Sequence, residues 1–169
     1  HPDDKLALSK IAFEVAVEAN HVTPITFPSL VTMSLLGSAP RALTEAEVVR
    51  DMDVLLAWAS ARHLRISADF DPAYASRMTS LLGIMIDEGM VTRYDEGPDV
   101  VYAIEQEQHA VASYYRNTII HFFVNKAIIE LALLKTSEIE GAAAPEIFWT
   151  EVDKLRDLFK FEFFYAPKI

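Results

Sequence analysis

The chain has 169 residues, 51% apolar and 11% aromatic, with 15 basic against 25 acidic residues and a formal charge of −10. That length suits one domain, or one domain with an appendage. The apolar content excludes general disorder, and the acidic balance disfavours a surface that grips phosphate backbones or anionic headgroups. The absence of cysteine excludes a disulfide framework, a thiolate nucleophile and Cys-ligated zinc or iron–sulfur chemistry.

His1-Pro2-Asp3-Asp4-Lys5 lacks the basic start, apolar stretch and cleavage site of a signal peptide, and no methionine initiates it. The expectation is a piece of a longer protein. A leading helix is predicted over 4–20, where Leu8, Ile11, Ala12, Val15 and Ala19 recur at spacings of three and four. Pro24 stops it, because the residue before a proline is pushed out of the helical region. Thr26 then serves as N-cap of a second helix with Pro28 in its first turn, and Gly37 marks its end. Thr44-Glu45-Ala46-Glu47 is a capping box that opens a third helix to about residue 61, with Val48, Met52, Leu55, Leu56 and Ala59 inward. Residues 64–70 read as a loop with a short extended piece. Asp71-Pro72 supplies an N-cap and an N1 proline for a helix that runs to Glu88 and closes at Gly89.

The period then changes. Residues 90–94 and 100–104 are strand-like and flank turn chemistry at 95–99, a β-hairpin pattern. A long helix is predicted over about 107–135, a mobile Gly/Ala-rich loop over 136–145, and a last helix near 144–159 before an aromatic tail. The expected class is mainly α. Three helices followed by a hairpin is the order of a winged helix, so a winged-helix-like core is expected, with a long helix after it. The expected organisation is a single helical domain: a leading helix over 1–22, a winged-helix-like part over 23–104, the long helix over 105–135, the loop over 136–145, and the last helix with the tail over 146–169. The most apolar run, 119–134, is interrupted by His121, Asn125, Lys126 and Glu130 and is shorter than the ~20 residues of a spanning helix. No transmembrane segment is predicted.

Familiar chemistry is missing. Of the five histidines, His1 is terminal, and His21 and His63 fall at helix ends where solvation or C-terminal capping is the ordinary role. No metal-ligand spacing, Gly-rich phosphate loop or Gly-x-Ser-x-Gly elbow occurs, so neither a metal nor a cofactor is expected. Tyr102 and Phe122 have no basic surroundings, and nucleic acid is not an expected partner.

One polar constellation stands out. Ser113, Asn117, His121 and Asn125 repeat every four residues and form one stripe on the predicted long helix, with Tyr114, Tyr115 and Arg116 a turn earlier. Burying such groups unpaired costs about 1–3 kcal/mol each. One reading is an internal network, with Asn117 bonded to His121 and Arg116 paired with a carboxylate. The other is an interface to a partner or domain, or one wall of a substrate site, since Arg116 can clamp a phosphate bidentately. Phe161, Phe163 and Phe164 in the tail divide similarly between core filling and docking.

These residues carry a resemblance. Tyr114-Tyr115-Arg116-Asn117, then His121-Phe122-Phe123, resembles the C-terminal region of bacterial, actinobacterial-type, membrane-associated glycerol-3-phosphate acyltransferases. Val22-Thr23-Pro24-Ile25, Leu30-Val31, Leu35-Leu36, Val101-Tyr102-Ala103-Ile104 and Lys160-Phe161-Glu162-Phe163-Phe164 extend the likeness, in order, over nearly the whole chain. The resemblance implies a parent enzyme that moves an acyl group from acyl-CoA or acyl carrier protein to glycerol 3-phosphate, an early step of phospholipid synthesis. It implies a parent at the cytoplasmic face of the cell membrane, with this part soluble. Catalysis in that family rests on a His-x-x-x-x-Asp motif. Here the residues five places after His1, His21, His63, His109 and His121 are Leu6, Thr26, Ala68, Tyr114 and Lys126. No catalytic residue is therefore transferred. The expected role is a non-catalytic C-terminal domain that packs against the catalytic domain of the same protein. A winged-helix-like protein- or nucleic-acid-binding module is the alternative.

Overall fold

A computed structural model describes residues 5–68, 70, 71, 73–137, 144–160 and 163. Among them are seven α-helices and one three-stranded sheet, so the chain is mainly α. The backbone gathers into two units, one of residues 22–120 and one of 1–21 with 121–169.

In the unit of residues 22–120, α2 (Phe27–Ser38) opens where predicted. The Ser29 hydroxyl accepts from the Thr26 N–H (3.0 Å) and donates to the Thr26 carbonyl (2.7 Å), which satisfies groups the first helical turn leaves open. After a cis Ala39–Pro40 bond, β1 (Leu43–Thr44) leads directly into α3 (Glu45–Ser60). The predicted capping box is present. Thr44 N–H donates to Glu47 Oε2 at 2.9 Å, and Glu47 N–H donates to Thr44 Oγ1 at 3.3 Å. Val48, Met52 and Ala59 are buried as expected, whereas Leu55 and Leu56 are half-buried. His63 ends this helix in the left-handed region, φ 55°. The predicted extended piece is an isolated parallel bridge between Ile25 and Ile66.

Asp71 caps the next segment, its Oδ1 accepting from the Ala73 N–H at 2.9 Å; Pro72 lies outside the described residues. The predicted helix starts as one 3₁₀ turn (Tyr74–Arg77) and continues as α4 (Met78–Asp87). Gly89 closes it at φ +69°, where a side chain would be strained. The hairpin forms from β2 (Thr92–Tyr94) and β3 (Val101–Ala103), antiparallel with Thr92 opposite Ala103. β1 was not foreseen. It pairs with β3, Leu43 opposite Tyr102, which gives the sheet order β1-β3-β2. Helix, strand, two helices and hairpin in that order make the winged-helix-like core. Leu30, Val31, Leu43, Met52, Met78 and Leu82 are fully or almost fully buried, and each such side chain contributes about 1.5–3 kcal/mol relative to exposure. A second 3₁₀ turn (Gln106–Gln108) leads into α5 (His109–Asn117), which packs on α2.

The predicted long helix is broken. α5 ends at Asn117 and α6 (Ile120–Ser137) begins three residues later. Thr118 N–H and Ile119 N–H donate to carbonyls three residues back, at 3.2 and 3.1 Å, and Thr118 Oγ1 donates to the Tyr115 carbonyl at 2.7 Å. Thr118, Ile119 and Ile120 are β-branched, which weakens helix continuation, and Ile119 is fully buried.

In the other unit, α6 packs against α7 (Ala144–Phe159). Ile128, Ala132 and Val152 form its buried centre, with Phe148, Leu155 and Phe159 against it. Lys135 Nζ meets Glu151 Oε2 at 3.3 Å. The predicted loop 136–145 is shorter at both ends: Thr136 and Ser137 belong to α6, Ala144 and Pro145 to α7. Residues 138–143 lie outside the described residues. α1 (Lys5–Val22) covers the predicted leading helix, but Leu8, Ile11, Ala12, Val15 and Ala19 are all exposed.

Candidate functional site

The helix break separates the predicted polar stripe. Ser113 and Asn117 belong to α5 in one unit, His121 and Asn125 to α6 in the other. On α5, Tyr114 is 69% exposed and its ring meets Tyr115 edge-on, centroids 5.6 Å apart. Arg116 donates from Nε and Nη2 to Asn117 Oδ1, at 3.2 and 3.0 Å. The Asn117 Oδ1 is thus occupied by the guanidinium of its own neighbour on α5. Among the described residues the guanidinium rests on a neutral amide, not on a carboxylate.

His121 is half-buried at the start of α6. Its Nε2 lies 3.1 Å from the Asn20 carbonyl oxygen, and its ring sits 4.0 Å from that of Phe122. Burial holds the imidazole below its ordinary pKa of 6.5; the Asn20 carbonyl opposes this, and His21 reinforces it. In the neutral tautomer that the contact selects, Nε2–H donates to Asn20. Asn125 is exposed. In the tail, Phe163 N–H donates to the Phe159 carbonyl at 3.1 Å and the two rings lie 6.0 Å apart. Phe161 and Phe164 lie outside the described residues.

Tyr102 and Phe122 are buried, so neither ring is available for stacking on a base. Among the described residues no cluster of His, Asp and Glu is placed to hold a metal ion. Among the described residues no single helix is long and apolar enough to cross a membrane; 106–117 and 120–137 reach that length and apolarity only when joined across their break.

One cleft escaped the sequence reading. About 400 Å³ in volume, it lies within the unit of residues 22–120 and is lined by Leu35, Pro40, Arg41, Ile104, Glu105 and His109 among others. Arg41 is already held by Glu47 at 2.7 Å, and Glu105 accepts from the Tyr94 hydroxyl. Its walls thus mix both signs of charge, and residues 41 and 105–109 share no motif that could have joined them in advance.

The whole chain, residues 1–169, matches the family described as the glycerol-3-phosphate acyltransferase C-terminal region. Curated relatives include proteins named as acyltransferase plsB1 in Mycobacterium bovis and in two strains of Mycobacterium tuberculosis. Each is 37% identical over 163 residues, covering 95% of this chain and 26% of the relative. The chain spans about a quarter of their length and corresponds to their C-terminal part. No solved structure matches. The chain belongs to the glycerol-3-phosphate acyltransferase C-terminal region family.

Proposed function

We propose that this chain is the non-catalytic C-terminal domain of an enzyme that transfers an acyl group from acyl-CoA or acyl carrier protein to the first hydroxyl of glycerol 3-phosphate. It packs against the catalytic domain of the same polypeptide and supports it, and the parent works at the cytoplasmic face of the cell membrane. The observation that carries this reading is the family match over residues 1–169, in relatives four-fold longer. The sequence also contains no His-x-x-x-x-Asp, so it lacks the spacing in which an aspartate orients a histidine base. The exposed Tyr114 and Asn117, beside Arg116, support a contact on α5. His121 and the tail phenylalanines, Phe161, Phe163 and Phe164, are the other candidates for contact.

The test is acyl transfer by the full-length protein and by the isolated chain. The full-length protein is expected to be active and the chain inactive. Arg116→Ala with His121→Ala is expected to reduce assembly or turnover of co-expressed halves. Thioester turnover by the chain alone overturns the reading.

The sheet order β1-β3-β2 favours a second reading as a winged-helix-like binding module. The exposed residues of α4 include Thr79, Ser80, Ile84 and Asp87, a poor match for phosphates. A steep salt dependence in gel-shift titration would favour it.

A further inference from the structure

In the unit built from α1, α6 and α7, exposed large apolar side chains outnumber buried ones among the described residues. Among the described residues its buried apolar side chains are five: Phe122, Phe123, Ile128, Ala132 and Val152. Ten large apolar side chains of the same unit are exposed, among them Leu8 at 72% and Leu134 at 68%.

The exposed residues are ordered. On α6 the buried face is Ile128, Ala132 and Thr136, at helical spacing of four. Ala127, Leu131 and Leu134, at i, i+4 and i+7, form a second apolar stripe rotated well away from that face, and all three are exposed. On α1, Leu8, Ile11 and Val15 stand at i, i+3 and i+7 and are each more than half exposed. Among the described residues, two helices of one unit therefore carry exposed helix-packing seams.

The chemistry and chain length point to one occupant. Lys126 pairs with Glu130 and Lys135 with Glu151, Lys10 of α1 shares its helix with Glu14 and Glu18, and the chain carries −10, so the seams lack the cluster of cations that holds a helix on anionic lipid. The relatives are about four times as long, and this region is their C-terminal part. The remainder is thus tethered beside these seams at high effective concentration. Resting on the packing role above, we propose that Leu131 and Leu134 of α6, with Leu8, Ile11 and Val15 of α1, are the seat on which the preceding catalytic part of the polypeptide docks.

The test uses the full-length protein. This region has no cysteine, so Leu131→Cys, Ile11→Cys, Asn117→Cys and an exposed reference, Glu107→Cys, each add one thiol here, and the parent's labelling is subtracted. Maleimide labelling of Cys at 131 and 11 is expected to be at least ten-fold slower than at 107 in the native protein, and equal to it in urea. Native labelling at 131 and 11 as fast as at 107 overturns the proposal. If 117 is then protected, packing stands and only this seat fails; if 117 is fast too, packing itself fails. Protection at 131 and 11 that varies with protein concentration, or that appears only with liposomes, overturns the proposal in favour of a second copy or a lipid surface.

Discussion

His121 and Asn20, 101 residues apart in sequence, meet through one hydrogen bond, the imidazole Nε2–H donating to the Asn20 carbonyl at 3.1 Å. The contact fixes the start of α6 to the end of α1, and its donor N–H is present in both protonation states, whereas burial of the ring favours the neutral one. Burial depresses the folded pKa below 6.5, so in acid the unfolded chain binds the proton first. Stability from this group is present above pH 6.5 and is lost as pH falls toward the folded value. His121→Gln is expected to cost about 1 kcal/mol at pH 7. Its deficit shrinks between pH 6.5 and 5, as measured by urea unfolding of both proteins across that range.

Glu47 titrates in the opposite part of the scale. The Thr44 backbone N–H, then the Arg41 guanidinium, hold its carboxyl down to about 2, from an ordinary 4.5. Its contribution is therefore present above pH 4.5 and lost as pH falls toward 2. Glu47→Gln is expected to flatten the acid limb of the stability profile. Thr44→Ala removes the cap itself and is expected to cost about 1 kcal/mol at neutral pH, read from the shift in the urea midpoint at constant slope.

Tyr74 is buried and donates to the Asp53 carboxylate. Burial and that carboxylate raise the phenol well above its usual 10. Its contribution is present below pH 10 and lost as pH rises through the folded value. Tyr74→Phe is expected to cost about 1–2 kcal/mol at pH 7 and to remove part of the alkaline loss of stability, seen by thermal melts between pH 8 and 11.

Ile119 is fully buried at the break between α5 and α6. Ile119→Ala is expected to cost about 2–5 kcal/mol, while Ile119→Val costs about 0.5–1.5 kcal/mol. If the alanine variant unfolds at the wild-type denaturant midpoint, the break is not anchored by this side chain.

Local chemistry made much of the fold legible. Thr44 and Glu47 cap each other only at a helix start, Gly89 adopts a conformation other residues resist, and Asp71 supplies the turn acceptor. β1 was invisible because Leu43 and Thr44 are two residues long, too few for alternation to register. The break at 118–119 had a signal, the β-branched Thr118-Ile119-Ile120, but the apolar residues continued on both sides and period counting ran through it. The polar stripe assumed one unbroken helix, and its residues belong to two, Ser113 and Asn117 to α5 and His121 and Asn125 to α6. α1 shows a further limit. Leu8, Ile11 and Val15 reveal that a helix has an apolar face, but spacing alone does not say whether this chain covers it.

The two-residue β1 also governs how the sheet meets other molecules. With β3 paired on both sides, the free backbone borders belong to β1 and to β2, whose three residues carry Arg93, ion-paired with Asp95 at 3.3 Å. Both rims, two and three residues long, are too short to template a strand from a neighbouring chain. The hairpin is thereby guarded against runaway self-association when the protein is concentrated.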